Sequence, residues 1–203
     1  MSHGAIQTEY GGYLFRSRLE ARWAVFFDTL DIQWKYETQG YEVDGHRYLP
    51  DFYLPATGTW VEVKGDPHGL SKDVGRMRAV LSAHSPLPGI AEGESFLLVL
   101  GDVPTENEGT VLHQAFSHDL DGPRGRWSFF YPKGTSWEPH PIEPTIVLTL
   151  LSPKIRAGVI ALAAPSDWLV RHQVLPTPIR FGPVFDAYRA ARQARFEHGV
   201  HGR

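Results

Sequence analysis

The 203-residue chain contains no cysteine. That excludes disulfide bridges, cysteine-built zinc ribbons and thiol nucleophiles, and it fits a reducing interior. No apolar run reaches the ~20 residues that a bilayer-spanning helix needs. The opening MSHGAIQTEY lacks the hydrophobic core of a signal peptide. The expectation is a cytoplasmic protein with no membrane partner. No Gly-x-Ser-x-Gly elbow supports serine-hydrolase chemistry, and no P-loop supports nucleotide hydrolysis. Ten histidines are present, yet none falls into a zinc-ligand spacing. His113 and His118 lie at a separation that does not share one helix face, and the terminal HGVHGR reads as a frayed tail. A net charge of -3 argues against a global positive field for holding nucleic acid. It leaves open a route in which metal ions and a few placed arginines neutralise phosphates. The chain does have hydrophobic material, 42% of its residues with 12% aromatic, enough for a real core.

The segment YLFRSRLEARWAVFFDTLDI carries the pattern of an amphipathic helix. Ser17 is its expected N-cap and Glu20 the partner in a capping box. Leu19, Trp23, Phe26, Phe27 and Leu30 recur at helical spacing and define one apolar face. QWKYE and GYEV read as short strands, with an Asp-Gly turn in VDGHRY. RYLPDFYL and TWVEVKG follow as strands, then a helix over SKDVGRMRAVLSAH and a buried strand in ESFLLVLGDVP. The order implies an α/β (α+β) layer architecture, a mixed central sheet flanked by helices. Residues 1–103 carry this pattern. Residues 104–203 read as an extension packed on it within the same domain, with PTENEGT as a loop, strands in GRWSFFYP and TIVLTLL, one or two short helices in SPKIRAGVIALAAPSDWLV, and a final helix in GPVFDAYRAARQARFEHG. Trp127, Trp137 and Trp168 read as core or lid.

The charges in RYLPDFYLPATGTWVEVKG are the informative feature. Side chains two apart share a strand face, so Trp60, Glu62 and Lys64 point one way and Val61 and Val63 the other. Asp51 shares a face with Leu49 and Tyr53. Pairing of the two strands brings Asp51, Glu62 and Lys64 to one end of the sheet. Pro50 has no N–H for a ladder, so an interruption is expected beside Asp51. Glu20 sits at the margin of the helix's apolar face and is the fourth candidate, in competition with its role as a cap. Three carboxylates around one lysine leave a negative excess that hard divalent cations with oxygen ligands suit. Solvent-facing charges at strand ends are the competing explanation.

Pro50–Asp51, the Glu62-Val63-Lys64 triplet and the upstream helical glutamate together resemble the PD-(D/E)XK nuclease superfamily. The phrases SRLEARWA, YLPDFYLP and WVEVKG are similar to its small phage and actinobacterial endonucleases, a Holliday-junction-resolvase-like core. The likeness covers residues 10–103. It implies a restriction-endonuclease-like fold and Mg²⁺-dependent hydrolysis of DNA phosphodiesters, with Mn²⁺ able to substitute and RNA a lesser substrate. It implies Asp51, Glu62 and the Val63 carbonyl as metal ligands, Lys64 beside the attacking water, and Glu20 as an auxiliary ligand, directly or through water. It also implies basic residues on the helix after the lysine strand, here Lys72, Arg76 or Arg78, and a bacterial or phage-infected cell.

Arg16, Arg18 and Arg22 on the first helix read foremost as surface neighbours at helical spacing. Arg189, Arg192 and Arg195 step along the last helix as a basic stripe, a solvated face first and a DNA contact second. Asp66 and His68 read first as a turn. Two alternatives to a self-sufficient nuclease remain. One is a non-catalytic nucleic-acid-binding or assembly protein on the same scaffold. The other is a nuclease subunit of a recombination, transposition or restriction complex. A homodimer is compatible with either.

Overall fold

The chain enters the fold through a hairpin that two glycines make possible. Strands β1 (Thr8–Tyr10) and β2 (Tyr13–Phe15) pair antiparallel, Tyr10 opposite Tyr13. Gly11 and Gly12 between them have φ of 57° and 83°, the double left-handed conformation of a type I′ turn. The helix pattern read from Tyr13 therefore begins later: Tyr13–Phe15 is strand. This computed structural model describes residues 6–43, 45–65, 79–82, 84–105, 113–119, 122–132, 145–151, 159–164 and 182–196.

Helix α1 (Arg18–Thr29) starts at the expected cap, where Ser17 Oγ accepts the Glu20 N–H at 3.1 Å. Trp23, Phe26, Phe27 and Leu30 are buried as the spacing predicts, and Leu19 is half-buried. Then come β3 (Lys35–Tyr36), a hairpin of β4 (Tyr41–Val43) and β5 (His46–Tyr48), β6 (Phe52–Leu54), β7 (Thr59–Val63) and β8 (Leu97–Leu100). The stretch RYLPDFYL is thus two strands. β5 pairs only with β4 in a separate two-stranded sheet, and the chain leaves regular pairing across Leu49–Asp51, around Pro50.

The second half adds β9 (His113–Asp119), β10 (Gly122–Pro132), β11 (Thr145–Leu151), β12 (Val159–Ala164) and α2 (Pro183–Gln193). Helix was expected where β12 lies. VIALAA is a short, uniformly apolar run whose periodicity does not separate buried strand from buried helix. Pairing with β10 and β11 decides it.

The main sheet has the order β11-β12-β10-β9-β8-β7-β6-β3, with β7 and β8 parallel and its other pairs antiparallel. One face packs Phe52, Leu54, Val61, Leu98 and Leu100 against α1 and against Val184, Ala187 and Ala191 of α2. The opposite face packs Trp60, Leu97 and Val99 beneath Tyr48, Val80, Leu81, Leu87 and Ile90. The result is a mixed α/β layer structure. No helix among the described residues is long and apolar enough to cross a membrane.

Where α2 meets β9, His113 is buried with its Nε2 2.9 Å from the Tyr188 hydroxyl and its ring edge-on to Trp23. Burial pulls the imidazole down to about 3. The unfolded chain therefore binds a proton that the folded chain refuses between the ordinary value of about 6.5 and about 3. Stability should fall as pH drops through that window, by up to about 5 kcal/mol. A Tyr188→Phe variant, which removes the hydroxyl partner, should melt earlier than the native chain at neutral pH. Thermal melts across the window check both.

Candidate functional site

The site grows out of an interrupted ladder. The amides of Trp60 and Lys64 on β7 bond to the Phe96 and Leu100 carbonyls, at 2.8 Å each. Alternation turns the Val63 amide and carbonyl the other way, toward β6. The register of Phe52 opposite Val61, continued by two residues, sets Pro50 against Val63. Proline has no N–H to give the Val63 carbonyl. The Val63 amide is satisfied by a side chain instead, with Asp51 Oδ2 accepting it at 2.7 Å. Asp51 is thus held where the backbone ladder fails, 4% exposed.

Glu62 is also buried. Its Oε2 accepts the Tyr48 hydroxyl at 3.0 Å, and its Oε1 lies 2.6 Å from Lys64 Nζ. Strand alternation accounts for the Glu62–Lys64 pair, which shares one face as expected. Tyr48 comes from the separate hairpin, so the β4–β5 unit helps fix the carboxylate.

Glu20 serves as a cap in this structure. Its Oε1 accepts from Ser17 Oγ at 2.7 Å, and its Oε2 accepts from the Arg16 amide at 3.1 Å and the Tyr36 hydroxyl at 2.5 Å. Both oxygens are engaged, so Glu20 reaches Asp51 through its charge.

Arg16 is the residue that sequence reasoning placed on the surface. Its Nη2 lies 2.7 Å from Asp51 Oδ1, and its Nε makes an ionic contact with Glu37 Oε1 that does not meet hydrogen-bond geometry. The Glu37 amide donates to the Asp51 carbonyl at 3.0 Å while Glu37 holds φ at 42°. A left-handed backbone is costly for such a residue and marks a constrained position. The local signal for Arg16 was its place just before the Ser17 cap. Its partner Asp51 lies 35 residues on, which no periodicity reports.

Burial, then the Glu62 charge, push Asp51 up to about 8, with Glu20 adding to the rise and the Val63 amide and Arg16 opposing it. Once Asp51 ionises, it sets with Glu62, Glu20 and Glu37 four carboxylates against the cations Arg16 and Lys64. One divalent ion balances that excess. Among the described residues no group of three or more His, Cys, Asp or Glu side chains is arranged to hold a metal ion. The oxygens that could help hold one are the Asp51 and Glu62 carboxylates and the Val63 carbonyl, to which proline has no N–H to give. This all-oxygen set suits Mg²⁺, which keeps several waters.

Lys72, Arg76, Arg78, Asp66 and His68 lie outside the described residues, as do Trp137 and Trp168. Arg189 pairs with Asp186 at 2.8 Å and lies over the Phe185 ring. Arg192 donates to the Pro104 carbonyl, tying α2 to the loop after β8. Both have intramolecular employment away from Asp51. No family model matches the chain, nor does any curated protein or solved structure.

Proposed function

We propose that the chain is a metal-dependent nuclease of the PD-(D/E)XK type, with a restriction-endonuclease-like core, that hydrolyses phosphodiester bonds of DNA. The observation that carries this is Asp51 taking over the Val63 amide where Pro50 stops the ladder, beside buried Glu62 and its Lys64 partner. Asp51, Glu62 and the Val63 carbonyl would hold Mg²⁺ or Mn²⁺. The bound ion supplies positive charge against the negative charge that grows on the scissile phosphate. Lys64 has a 27% exposed side chain, open enough to meet substrate and to orient an attacking water through its ammonium. Glu62 steers that ammonium, and the Tyr48 hydroxyl holds Glu62 in turn.

Incubation of the purified chain with supercoiled plasmid should give nicked or linear DNA in Mg²⁺ and in Mn²⁺, and none when EDTA removes the ion. The Arg16 contact to Asp51 favours a second reading, a non-catalytic nucleic-acid-binding or assembly protein whose acidic site is closed by its own cation. A gel shift in Ca²⁺ without cutting in Mg²⁺ would select it. Cutting that needs an added partner would place the chain in a larger complex.

A further inference from the structure

We infer that Arg16 is a resident counter-cation of the Asp51 site, holding the carboxylate oxygen that a divalent ion must take and yielding it when the ion binds. The inference rests on the metal-site reading above and concerns how that site is guarded.

The two oxygens of Asp51 have unequal partners. Oδ2 accepts from a backbone amide within β7, which cannot withdraw without disturbing the strand. Oδ1 accepts from the end of the Arg16 side chain, which is 51% exposed and borders open solvent. A cation that enters therefore gains Oδ1 by displacing the guanidinium. On its other side Arg16 makes an ionic contact with Glu37, which leaves the guanidinium a charge partner when it gives up Oδ1. The backbone of Arg16 stays fixed throughout, since its amide donates to Glu20 and to the Tyr36 hydroxyl. The backbone of Arg16 is thus fixed by its own bonds, and the guanidinium by side-chain contacts alone.

The arrangement also has a reason to exist. A carboxylate as buried as Asp51, close to Glu62 and Glu20, is costly to leave without a positive partner. Arg16 supplies one inside the fold, so the protein need not rely on an ion for its stability. The consequence is competition. Two cations that exclude each other from one oxygen weaken each other's binding by the same factor.

Calorimetric titration of the full chain with Ca²⁺, without DNA, tests this. Arg16→Gln should bind Ca²⁺ roughly tenfold more tightly than the native chain, within the usual range of such couplings, and Arg16→Lys more tightly by a smaller factor. Asp51→Asn should lose the binding event. A merely structural role for Arg16 predicts the opposite sign, since a loosened site binds more weakly. Equal or weaker Ca²⁺ binding by Arg16→Gln overturns the inference, and if that variant does not fold, the same result with Arg16→Lys does so. Ca²⁺ binding that is absent from the native chain and from both Arg16 variants overturns the metal-site reading, and this inference with it.

Discussion

Asp51→Asn should abolish cleavage while leaving the protein at least as stable as the native chain. The amide oxygen can still accept the Val63 N–H, so the ladder repair survives, while the amide NH2 displaces the exposed Arg16 guanidinium, which keeps its contact with Glu37. What goes is the charge. Loss of one carboxylate from a two-carboxylate metal site removes most of the charge stabilisation offered to the phosphate, and the expected fall in rate is at least about a thousandfold. Stability moves the other way because Asp51 is pushed up to about 8 by burial and by Glu62. A carboxyl whose folded value exceeds its unfolded value binds its proton more tightly when folded. Stability is therefore lost as pH rises from about 4 through about 8, while Asp51 ionises in its buried place. Asparagine does not ionise and escapes this loss. Melting midpoints should fall with rising pH in the native chain and stay flatter in Asp51→Asn, with plasmid nicking assayed on the same samples. Cleavage within tenfold of native would remove Asp51 from the site.

Such a group, which lowers stability as it ionises in a buried place, is expected of function rather than of folding. It also explains how much could be seen from the sequence. Asp51, Glu62 and Lys64 were legible because strand alternation is a local rule and Pro50 is a local breaker. The Ser17–Glu20 cap was legible for the same reason. Arg16, Glu37, Tyr36 and Tyr48 were not, because each reaches its partner across the fold. The tyrosines in particular look like strand filler until the pairing shows which carboxylate each hydroxyl meets. Strand β12 illustrates the limit on the fold side: six apolar residues fit either element, and only β10 and β11 decide. The β1–β2 hairpin is different. Its Gly-Gly turn was a local signal, overridden by the strength of the helix pattern that follows it.

Lys64→Met should separate metal binding from chemistry. The lysine amide bonds to the Leu100 carbonyl at 2.8 Å, and its Nζ lies 2.6 Å from Glu62 Oε1. Methionine keeps the backbone bond and much of the side-chain length while deleting the charge. Glu62 then loses its ammonium partner and retains the Tyr48 hydroxyl. Two effects of opposite sign follow. A divalent ion no longer shares Glu62 with a resident cation, so half-saturation should come at a lower Mg²⁺ concentration. On the proposed role of Lys64, the phosphate meanwhile loses a positive group near its developing charge, and the attacking water loses a donor that orients it. Removal of one such electrostatic group typically costs about 10²–10³ in rate. Single-turnover cleavage measured against Mg²⁺ concentration should therefore show a lower maximal rate reached at less metal. The same variant should gain more thermal stability from added Mg²⁺ than the native chain does, because the ion supplies the charge that Glu62 is missing. A maximal rate equal to native, with only the Mg²⁺ dependence displaced, would reduce Lys64 to a counter-ion of Glu62 and remove it from the chemistry.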